Sequence, residues 1–311
     1  MRLNEKELLI KGILNEIKFI QSLNDDPLHS NMLQNSFIQI PGIGPKKEES
    51  IWNDGVFTWN DFINRKKKSG LNFYQSTYFT QVETCLNKLA KNDISYFYNT
   101  LPSSDEWRLF KEFQNHCLYL DIETNGGDFY SGYITTIATY DGKKIRYYIK
   151  GENLDDFIED IYNYKILITY NGKSFDIPFI ENYFNIELNH AQIDLRYLLR
   201  SLGYKGGLKS CEKQLGIFRS ALDGVDGYFA IHLWNDYYYK GNRLALETLL
   251  AYNIEDTVNL EKLMEISFNK KIDRIGIKNF KTVNNNQSPK NPFQPHLQTV
   301  LEIKSKLNFK Y

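Results

Sequence analysis

The segment between residues 116 and 170 constrains the fold more than any other part of the chain. Its apolar residues fall into short runs, HCLYLDIE, YITTIATY, the stretch 144–150 and YKILITY, and this spacing predicts four β-strands. The last run is apolar throughout, which is typical of a strand buried on both faces. Helical spacing at 152–163 and 176–186 flanks it. This order of elements predicts an α/β layer, a mixed sheet flanked by helices.

The sequence on either side of this segment has a different character. Residues 31–115 show helical spacing and turn signals, which predicts a small all-helical domain. Residues 1–30 predict an N-terminal amphipathic helix. After the sheet domain, which we place at 116–268, the stretch KTVNNNQSPKNPFQP lacks apolar periodicity, so we expect residues 269–311 to be a basic linker and tail.

Charge is unevenly distributed, although the formal net charge is zero. Residues 116–268 hold 15 Lys+Arg and 22 Asp+Glu, whereas residues 269–311 hold 9 and 2. The balanced total argues against a generic polyanion binder. The basic tail is either a solubilising end or an arm that contacts phosphates. Its candidate cations are Lys270, Lys271, Arg274, Lys278 and Lys281.

The cysteines and the apolar runs bear on the cellular setting. Cys85, Cys117 and Cys211 have no CxxC or Cys/His spacing, so the sequence predicts neither a disulfide framework nor a zinc site. No apolar run approaches the roughly 20 residues needed to cross a bilayer. The first 20 residues interleave charges at helical spacing, unlike a signal peptide. We therefore expect a soluble, cytoplasmic protein, with the nucleoid if the cell is prokaryotic, and no membrane partner.

Two acids lie at the end of the first predicted strand. In YLDIETNG, Asp121 and Glu123 are two residues apart, so both carboxylates project from one face of the strand. A surface strand can display such a pair to water. Leu118, Leu120 and Ile122 instead indicate a central strand, where paired carboxylates are costly unless cations neutralise them.

Two further acids occur next to helices. Asp176 follows the buried strand through the loop TYNGKSFD and precedes an apolar helix, a position that also suits a simple N-cap. Tyr252 and Asp256 lie four residues apart on a predicted helix and hence on one face, a spacing that is also common in structural pairs. Each acid taken alone therefore has a structural explanation as well as a catalytic one.

Taken together, the acids resemble the three-motif pattern of the DEDD (DnaQ-like) exonucleases, which have the ribonuclease H-like fold. The segments 190–216 and 233–256 are also similar to YprB-like ribonuclease H-like domains. No histidine occupies the position that marks the histidine branch of the family. The matching residues are Asp121-x-Glu123 for the first motif, Asn171-x-x-x-Phe175-Asp176 for the second, and Tyr252-x-x-x-Asp256 for the third in its tyrosine version.

This resemblance implies a metal-dependent nuclease with two divalent ions, Mg²⁺ or Mn²⁺, which suit hard oxygen ligands. Asp121 would bridge both ions, Glu123 and Asp256 would hold the ion that activates water, and Asp176 would bind mainly the other. Tyr252 would orient the attacking water, because a side chain with an ordinary pKa near 10 is a poor general base at neutral pH.

Other residues near the motifs are candidates for supporting roles or for contacts with nucleic acid. Asn171 and Phe175 would shape the loop and wedge a terminal nucleotide, although Phe175 equally suits a core position. The sequence Gly206-Gly207-Leu208-Lys209 either points helix amides and the Lys209 ammonium at a phosphate or forms an ordinary turn. Asp194 is either a fifth acid near the metals or a helix N-cap. Thr124 is a second candidate for the surroundings of the metals.

The motif IPGIGPKKEESIWNDGVFTW, residues 40–59, is similar to a helix-hairpin-helix element. In such an element a Gly-x-Gly hairpin offers backbone amides to a DNA phosphate without reading bases. Gly42 and Gly44 would form the hairpin, and Lys46, Lys47 and the run 65–68 would add salt-sensitive contacts. The alternative is a structural turn that packs the helical half against the nuclease.

The sequence thus predicts a two-metal-ion 3′→5′ exonuclease that acts on DNA, at single-stranded or frayed ends. An RNA-trimming exoribonuclease or an endonuclease of the same fold stays open, because no residue is identified that would recognise a 2′-hydroxyl. An alternative of another class is a non-catalytic nucleic-acid-binding subunit of a DNA repair complex. The complete set of acids argues against it, since a binding module has little reason to keep buried carboxylates.

Overall fold

A computed structural model describes residues 32–66, 73–219, 226–277, 283 and 289–308. The predicted helix within residues 1–30 lies outside the described residues. So do Lys67 and Lys68 of the basic run, and Lys278 and Lys281 of the tail.

A five-stranded mixed sheet forms the centre of the second half of the chain. Its order is β3-β2-β1-β4-β5; β1, β2 and β3 are antiparallel neighbours, whereas β1, β4 and β5 run parallel. The four predicted strands are confirmed, and β4 is buried on both faces as expected. The strands are β1 Cys117–Thr124, β2 Ile134–Tyr140, β3 Ile145–Ile149, β4 Ile166–Thr169 and β5 Ala191–Asp194.

Helices precede the sheet and cover both of its faces, so the predicted fold class is confirmed. The helices before the sheet are α1 Pro45–Asn53, α2 Trp59–Lys66, α3 Phe73–Ala90, α4 Ile94–Thr100 and α5 Leu109–Glu112. Those after β3 are α6 Phe157–Ile161, α7 Asp176–Phe184, α8 Leu195–Ser201, α9 Leu208–Gln214, α10 Gly227–Lys240, α11 Arg243–Ile275 and α12 Leu297–Asn308. Four short 3₁₀ turns lie at Leu33–Asn35, Ser103–Arg108, Gln114–His116 and Leu154–Asp156.

The two-residue period of β1 assigns its side chains to two different cores. Leu118, Leu120 and Ile122 pack with α6 and α7 on one face of the sheet. Cys117 and Tyr119 point to the opposite face, where they pack with α11 and the helical half. Asp121 and Glu123 continue this second series, because alternate residues of a strand share a face. Both acids therefore face α11.

Part of the segment that we expect to be a basic linker and tail is helical. α11 continues beyond residue 268 to Ile275, because Phe268 and Ile272 extend its buried apolar spacing. Lys270, Lys271 and Arg274 therefore belong to α11. Farther along, Val300 and Ile303 of α12 pack into a core shared with α10 and the beginning of α11.

The turn at residues 41–44 leads into α1, and Pro45 starts that helix as expected. Within the described ranges, only the 3₁₀ turn Leu33–Asn35 precedes it, and no α-helix. The segment just before the turn is fixed by Glu48 of α1, which accepts backbone hydrogen bonds from Phe37 and Ile38 at 2.7 and 3.2 Å. Arg108 pairs with the same buried carboxylate at 2.8 and 2.9 Å.

Two further expectations concern cysteines and membranes. Cys85, Cys117 and Cys211 are free and buried. Among the residues that the structure describes, no helix has the length and apolar content needed to cross a membrane.

Candidate active site

Three carboxylates meet where the end of β1 faces α11. Asp121 and Glu123 come from the strand and Asp256 from the helix, and their oxygens lie within 4.8 Å of one another. Glu123 and Asp256 are buried, whereas Asp121 keeps part of its surface accessible. The structure therefore brings together three of the four acids that the sequence selected, from two elements more than 100 positions apart.

The fourth acid, Asp176, lies beside this group as the first residue of α7. Its Oδ1 accepts a hydrogen bond from the Ile122 amide of β1 at 3.2 Å. Its side chain is not the N-cap, because Phe175 takes that position and makes no side-chain cap. The Asp176 charge raises the pKa of both Asp121 and Glu123, which places it in the same electrostatic site.

Burial and mutual repulsion shift the acids towards their protonated forms. Burial raises the pKa of Asp121 and Glu123 well above the ordinary range, and neighbouring carboxylates raise it further. Burial also raises the pKa of Asp176 to about 7. Such a group is costly to ionise unless cations compensate it. Hard oxygen donors in this arrangement suit a divalent cation such as Mg²⁺ or Mn²⁺.

Arg219 is a cation of this site that sequence reasoning missed. Its guanidinium donates a hydrogen bond to Asp256 Oδ1 and a bidentate pair to the buried Glu212, at 2.6 and 2.7 Å. Glu212 also accepts from the Asn259 side chain at 3.0 Å. Arg219 thus holds Asp256 in an ion pair on one side of the carboxylate group.

Lys209 lies at the same site, whereas the sequence suggested it as a phosphate contact. Its Nζ is 4.3 Å from the centre of the Tyr252 ring and has no hydrogen-bond acceptor among the described residues. Burial lowers the pKa of this lysine, while the charges of Asp256 and Glu123 act in the opposite direction. The result is an ammonium without a fixed partner beside the acids.

Tyr252 lies one turn before Asp256 on α11 and is buried. Burial raises the pKa of its phenol, and the charges of Asp256 and Glu123 raise it further. The hydroxyl therefore keeps its proton at neutral pH, which suits a hydrogen-bonding role and not proton abstraction.

Asn253 is a positioning residue that the motif comparison did not select. Its side-chain amide donates to Asp121 Oδ2 at 2.7 Å and to the Asp121 carbonyl at 3.2 Å. Its own oxygen accepts from the Thr136 hydroxyl of β2 at 3.0 Å. Asn253 is fully buried. Its hydrogen bonds therefore fix the Asp121 carboxylate and hold α11 against the sheet. The only signal in the sequence is its position next to Tyr252.

Asp194 and Thr124, the two candidates for the surroundings of the metals, make local contacts. The Asp194 carboxylate accepts from the backbone amides of Asn171, Lys173 and Arg196 at 2.9, 3.2 and 2.9 Å. It therefore caps α8 and fixes the loop before α7. Thr124 Oγ1 accepts from the Gly126 amide at 3.3 Å, at the end of β1.

The candidates in the loop before α7 occupy two different positions. Asn171 has a left-handed backbone, with φ 68°, and its side-chain oxygen accepts a hydrogen bond from Arg196. Phe175 is 38% exposed, and its ring lies 6.1 Å from Phe129 and 5.7 Å from Phe179. It is therefore neither a core residue nor free, but the outer member of an aromatic cluster.

The candidates in the helical half lie around the start of α1. Gly42 has φ 84°, a left-handed conformation that favours glycine, whereas Gly44 is extended. Lys47 Nζ donates to the Tyr78 hydroxyl at 2.6 Å, and Lys46 is exposed. Lys47 is thus engaged within its own domain.

A comparison with protein families agrees with this architecture. Residues 118–267 match a family model described as the RNase_H superfamily, and this range contains all four acids. The fold of this part of the chain is therefore ribonuclease H-like, and the match supports a nuclease. Among solved structures, the chain is similar to a family B DNA polymerase from the hyperthermophilic archaeon Pyrobaculum calidifontis, with 14% identity and a TM-score of 0.37. That likeness covers 57% of this chain and 31% of the polymerase. No curated protein matches the chain.

Proposed function

We propose that the chain is a metal-dependent 3′→5′ exonuclease that acts on DNA, at single-stranded or frayed ends. The group formed by Asp121, Glu123 and Asp256, with oxygens within 4.8 Å of one another, is the observation that carries this proposal. The superfamily match over residues 118–267 supports phosphodiester hydrolysis. The 3′→5′ polarity and the DNA substrate are supported by the motif resemblance alone.

The four acids would hold two divalent ions. Asp121, Glu123 and Asp256 would provide ligands for one ion, and Asp176 together with Asp121 would provide ligands for the other. Two such ions supply charge stabilisation and an activated water for phosphodiester cleavage. Carboxylate oxygens select Mg²⁺ or Mn²⁺ over softer metals.

The other residues of the site bind and orient. Tyr252 keeps its proton and can hold the attacking water by a hydrogen bond. The Asn253 side-chain amide donates to Asp121 Oδ2 and so fixes the orientation of that carboxylate. The Lys209 ammonium, which has no acceptor of its own in the described part of the chain, can bind a phosphate oxygen beside the acids. Phe175, at the outer edge of its cluster, offers a ring on which a terminal base can stack.

The test is degradation of 5′-labelled single-stranded DNA with Mg²⁺, Mn²⁺ or EDTA. We expect a ladder that shortens from the 3′ end with either metal and no cleavage in EDTA. Asp121→Asn should lower the rate more than about 100-fold, since even residues outside the ligand shell commonly contribute 10–100-fold. Asp156→Asn, at an exposed acid, is the matched control. Tyr252→Phe should lower kcat and leave metal affinity unchanged.

Parallel reactions separate the alternatives. Faster trimming of RNA than of DNA would assign an exoribonuclease, and cleavage of circular single-stranded DNA would assign an endonuclease. Strand binding without cleavage in either metal would contradict the catalytic proposal and favour a binding subunit. Gly42→Val with Gly44→Val tests the hairpin separately. The pair should weaken duplex binding if the hairpin contacts phosphates.

A further inference from the structure

A cleft of about 640 Å³ opens at the edge of the sheet where β4 and β5 end. One wall is the β4–α7 loop, at Tyr170 and Asn171. The opposite wall is α8 together with the segment 204–207 that leads into α9. Nothing in the motif comparison pointed to this cleft, because most of its lining residues lie outside the three motifs.

The charged side chains that line the cleft, among the described residues, are all basic. Arg196 and Arg200 are exposed and lie four residues apart, so they share one face of α8, and Lys205 follows on the next segment. No acidic side chain lines the cleft among the described residues, and none of these cations forms a salt bridge there. This local charge contrasts with the sheet domain as a whole, in which Asp and Glu outnumber Lys and Arg by 22 to 15.

Two tyrosines complete the cleft. The Tyr170 hydroxyl donates to the Gly206 carbonyl at 2.7 Å and thereby ties the two walls together. Tyr204 is half-buried, and the Lys270 ammonium of α11 lies 5.7 Å from its ring centre. Basic grooves with aromatic side chains bind single-stranded nucleic acid, because cations neutralise phosphates while bases of any sequence stack on the rings.

The walls of the cleft lead directly into the acid site. Asn171 belongs to the β4–α7 loop, which leads to Asp176. The Asp194 carboxylate fixes this loop by accepting hydrogen bonds from the amides of Asn171 and Lys173. On the other wall, the segment ends at Gly207, two residues before Lys209, whose Nζ contacts the Tyr252 ring. Both walls of the cleft therefore lead along the chain to residues of the acid site.

We propose that this cleft binds the backbone of a single-stranded polynucleotide next to the nucleotide that is cleaved. Arg196, Arg200 and Lys205 bind phosphates, and Tyr170 and Tyr204 contact bases. The cleft volume of about 640 Å³ accommodates only a few nucleotide-sized groups. As an account of substrate binding, the inference rests on the proposed nuclease function.

The experiment measures binding of a 5′-fluorescein-labelled oligothymidylate of about 12 nucleotides, a length within the range of single-strand sites. Fluorescence anisotropy is recorded with the full chain in EDTA, so that no hydrolysis is needed. Arg200→Ala with Lys205→Ala should weaken binding roughly tenfold and lower the slope of log K against log salt by about 0.7 per cation removed. Both side chains are exposed, so the double variant should fold normally.

The matched control is Lys143→Ala with Lys144→Ala. These exposed lysines lie on the β2–β3 turn, which is at the opposite end of the sheet from the acids. The control should bind as the parent does, and the charge-conserving pair Arg200→Lys with Lys205→Arg should restore most of the affinity. Equal affinities for the cleft variant and the control would overturn the inference. Tighter binding of a duplex of the same length would overturn its assignment to single strands.

The two proposals fail separately. If the parent degrades no nucleic acid with either metal but binds the oligonucleotide through Arg200 and Lys205, the nuclease proposal falls and the cleft stands. If the parent degrades DNA and the cleft variant binds like the parent, only the cleft assignment falls.

Discussion

Asp176 shows how a buried carboxyl links this site to the stability of the metal-free protein. It is 5% exposed, and burial raises the pKa of its carboxyl from 3.8 to about 7. The folded state therefore binds this proton more tightly than the unfolded state does. Stability from this group is fully present below about pH 4 and is lost as the pH rises through about 7. A bound divalent cation removes the penalty, because it compensates the ionised form.

Asp176→Asn should make the metal-free protein less sensitive to pH. The amide oxygen of asparagine can still accept the Ile122 hydrogen bond, while the ionisation is removed. In EDTA, the free energy of unfolding of the parent should fall by up to about 4 kcal/mol more than that of the variant between about pH 4 and pH 7.5. Urea unfolding at several pH values measures this difference. If the free energy of unfolding depends on pH in the same way for both proteins, burial does not raise the pKa of the Asp176 carboxyl.

Arg219 and a metal ion compete for the same carboxylate. Its guanidinium donates a hydrogen bond to Oδ1 of Asp256, a residue that the proposed function assigns to a divalent cation. Arg219→Gln should therefore tighten Mn²⁺ binding about tenfold, or 1.4 kcal/mol, as measured by calorimetry. Arg243→Gln, which opens the exposed pair with Glu152, is the control and should leave Mn²⁺ affinity unchanged.

Arg219→Gln also leaves the buried Glu212 without its cation. The Arg219→Gln protein should therefore be destabilised by about 3–5 kcal/mol. Circular dichroism at the temperature of the titration checks that it remains folded. Weaker Mn²⁺ binding by the folded Arg219→Gln protein would mean that Arg219 supports the metal site and does not compete with it.

At the scale of elements, the apolar pattern identified four of the described strands, including the four-residue β4 with its sequence ILIT, and missed β5. β1 and β2 carry eight and seven residues, enough for their apolar pattern to be recognised. β5 has four, and in the sequence AQID only Ala191 and Ile193 mark a strand, so it was not predicted. Likewise, the polar sequence after Phe268 hides the fact that α11 continues past the buried Ile272.

At the candidate active site, the order of the three motifs along the chain identified the acids. Contacts between residues far apart in the sequence could not be predicted. Asn253 and Asp121 are 132 positions apart, and Arg219 and Asp256 are 37 apart. Neither pair has a local pattern, because each depends on how a helix or loop lies across the sheet. The cleft cations share this property, since α8 and the segment before α9 become one surface only in the fold.

Gly172 determines how the β4–α7 loop positions Asp176. A Cβ at this buried residue would collide with the side chain of Thr169 at the end of β4. The Gly172 carbonyl accepts hydrogen bonds from the amides of Phe175 and Ile177 at 3.3 and 2.9 Å, so a shift here is passed to the start of α7. The loop therefore requires a residue without a side chain.

Gly172→Ala should lower kcat on single-stranded DNA by about 100-fold, because a displacement of about 1 Å can cost that much. Its melting temperature should fall by only a few degrees. Gly227→Ala is the matched control, since the exposed Gly227 at the start of α10 has open space around its Cα and alanine favours a helix. A Gly172→Ala protein with the activity of the parent would show that the position of Asp176 tolerates movement of this loop.

At the scale of the whole molecule, one core joins the helical half to the sheet. A single cluster of buried residues extends from Met32 and Trp59 to Tyr119 and Phe268. At its centre the Phe268 ring of α11 meets Trp107 and Phe110 edge-on, at 5.5 and 5.9 Å. A partly buried ion pair of Lys173 and Glu106 adds a contact at 2.6 Å. Because α11 also carries Asp256, the same helix links the helical half to the candidate active site.

Phe268→Ala should therefore destabilise both halves together, by about 3–5 kcal/mol. Native-state hydrogen exchange should show faster exchange in α4 and α5 as well as in α11, because the ring supports both sides of the junction. Phe157→Ala is the matched control: this fully buried ring of α6 packs on the other face of the sheet, among residues of the sheet domain alone. Phe157→Ala should destabilise α6 and α7, while amide hydrogen exchange by local opening in α4 and α5 should keep the rate of the parent. If Phe268→Ala accelerates exchange in α11 but not in α4 and α5, the two halves are separate folding units and the helical half does not support the acid site through α11.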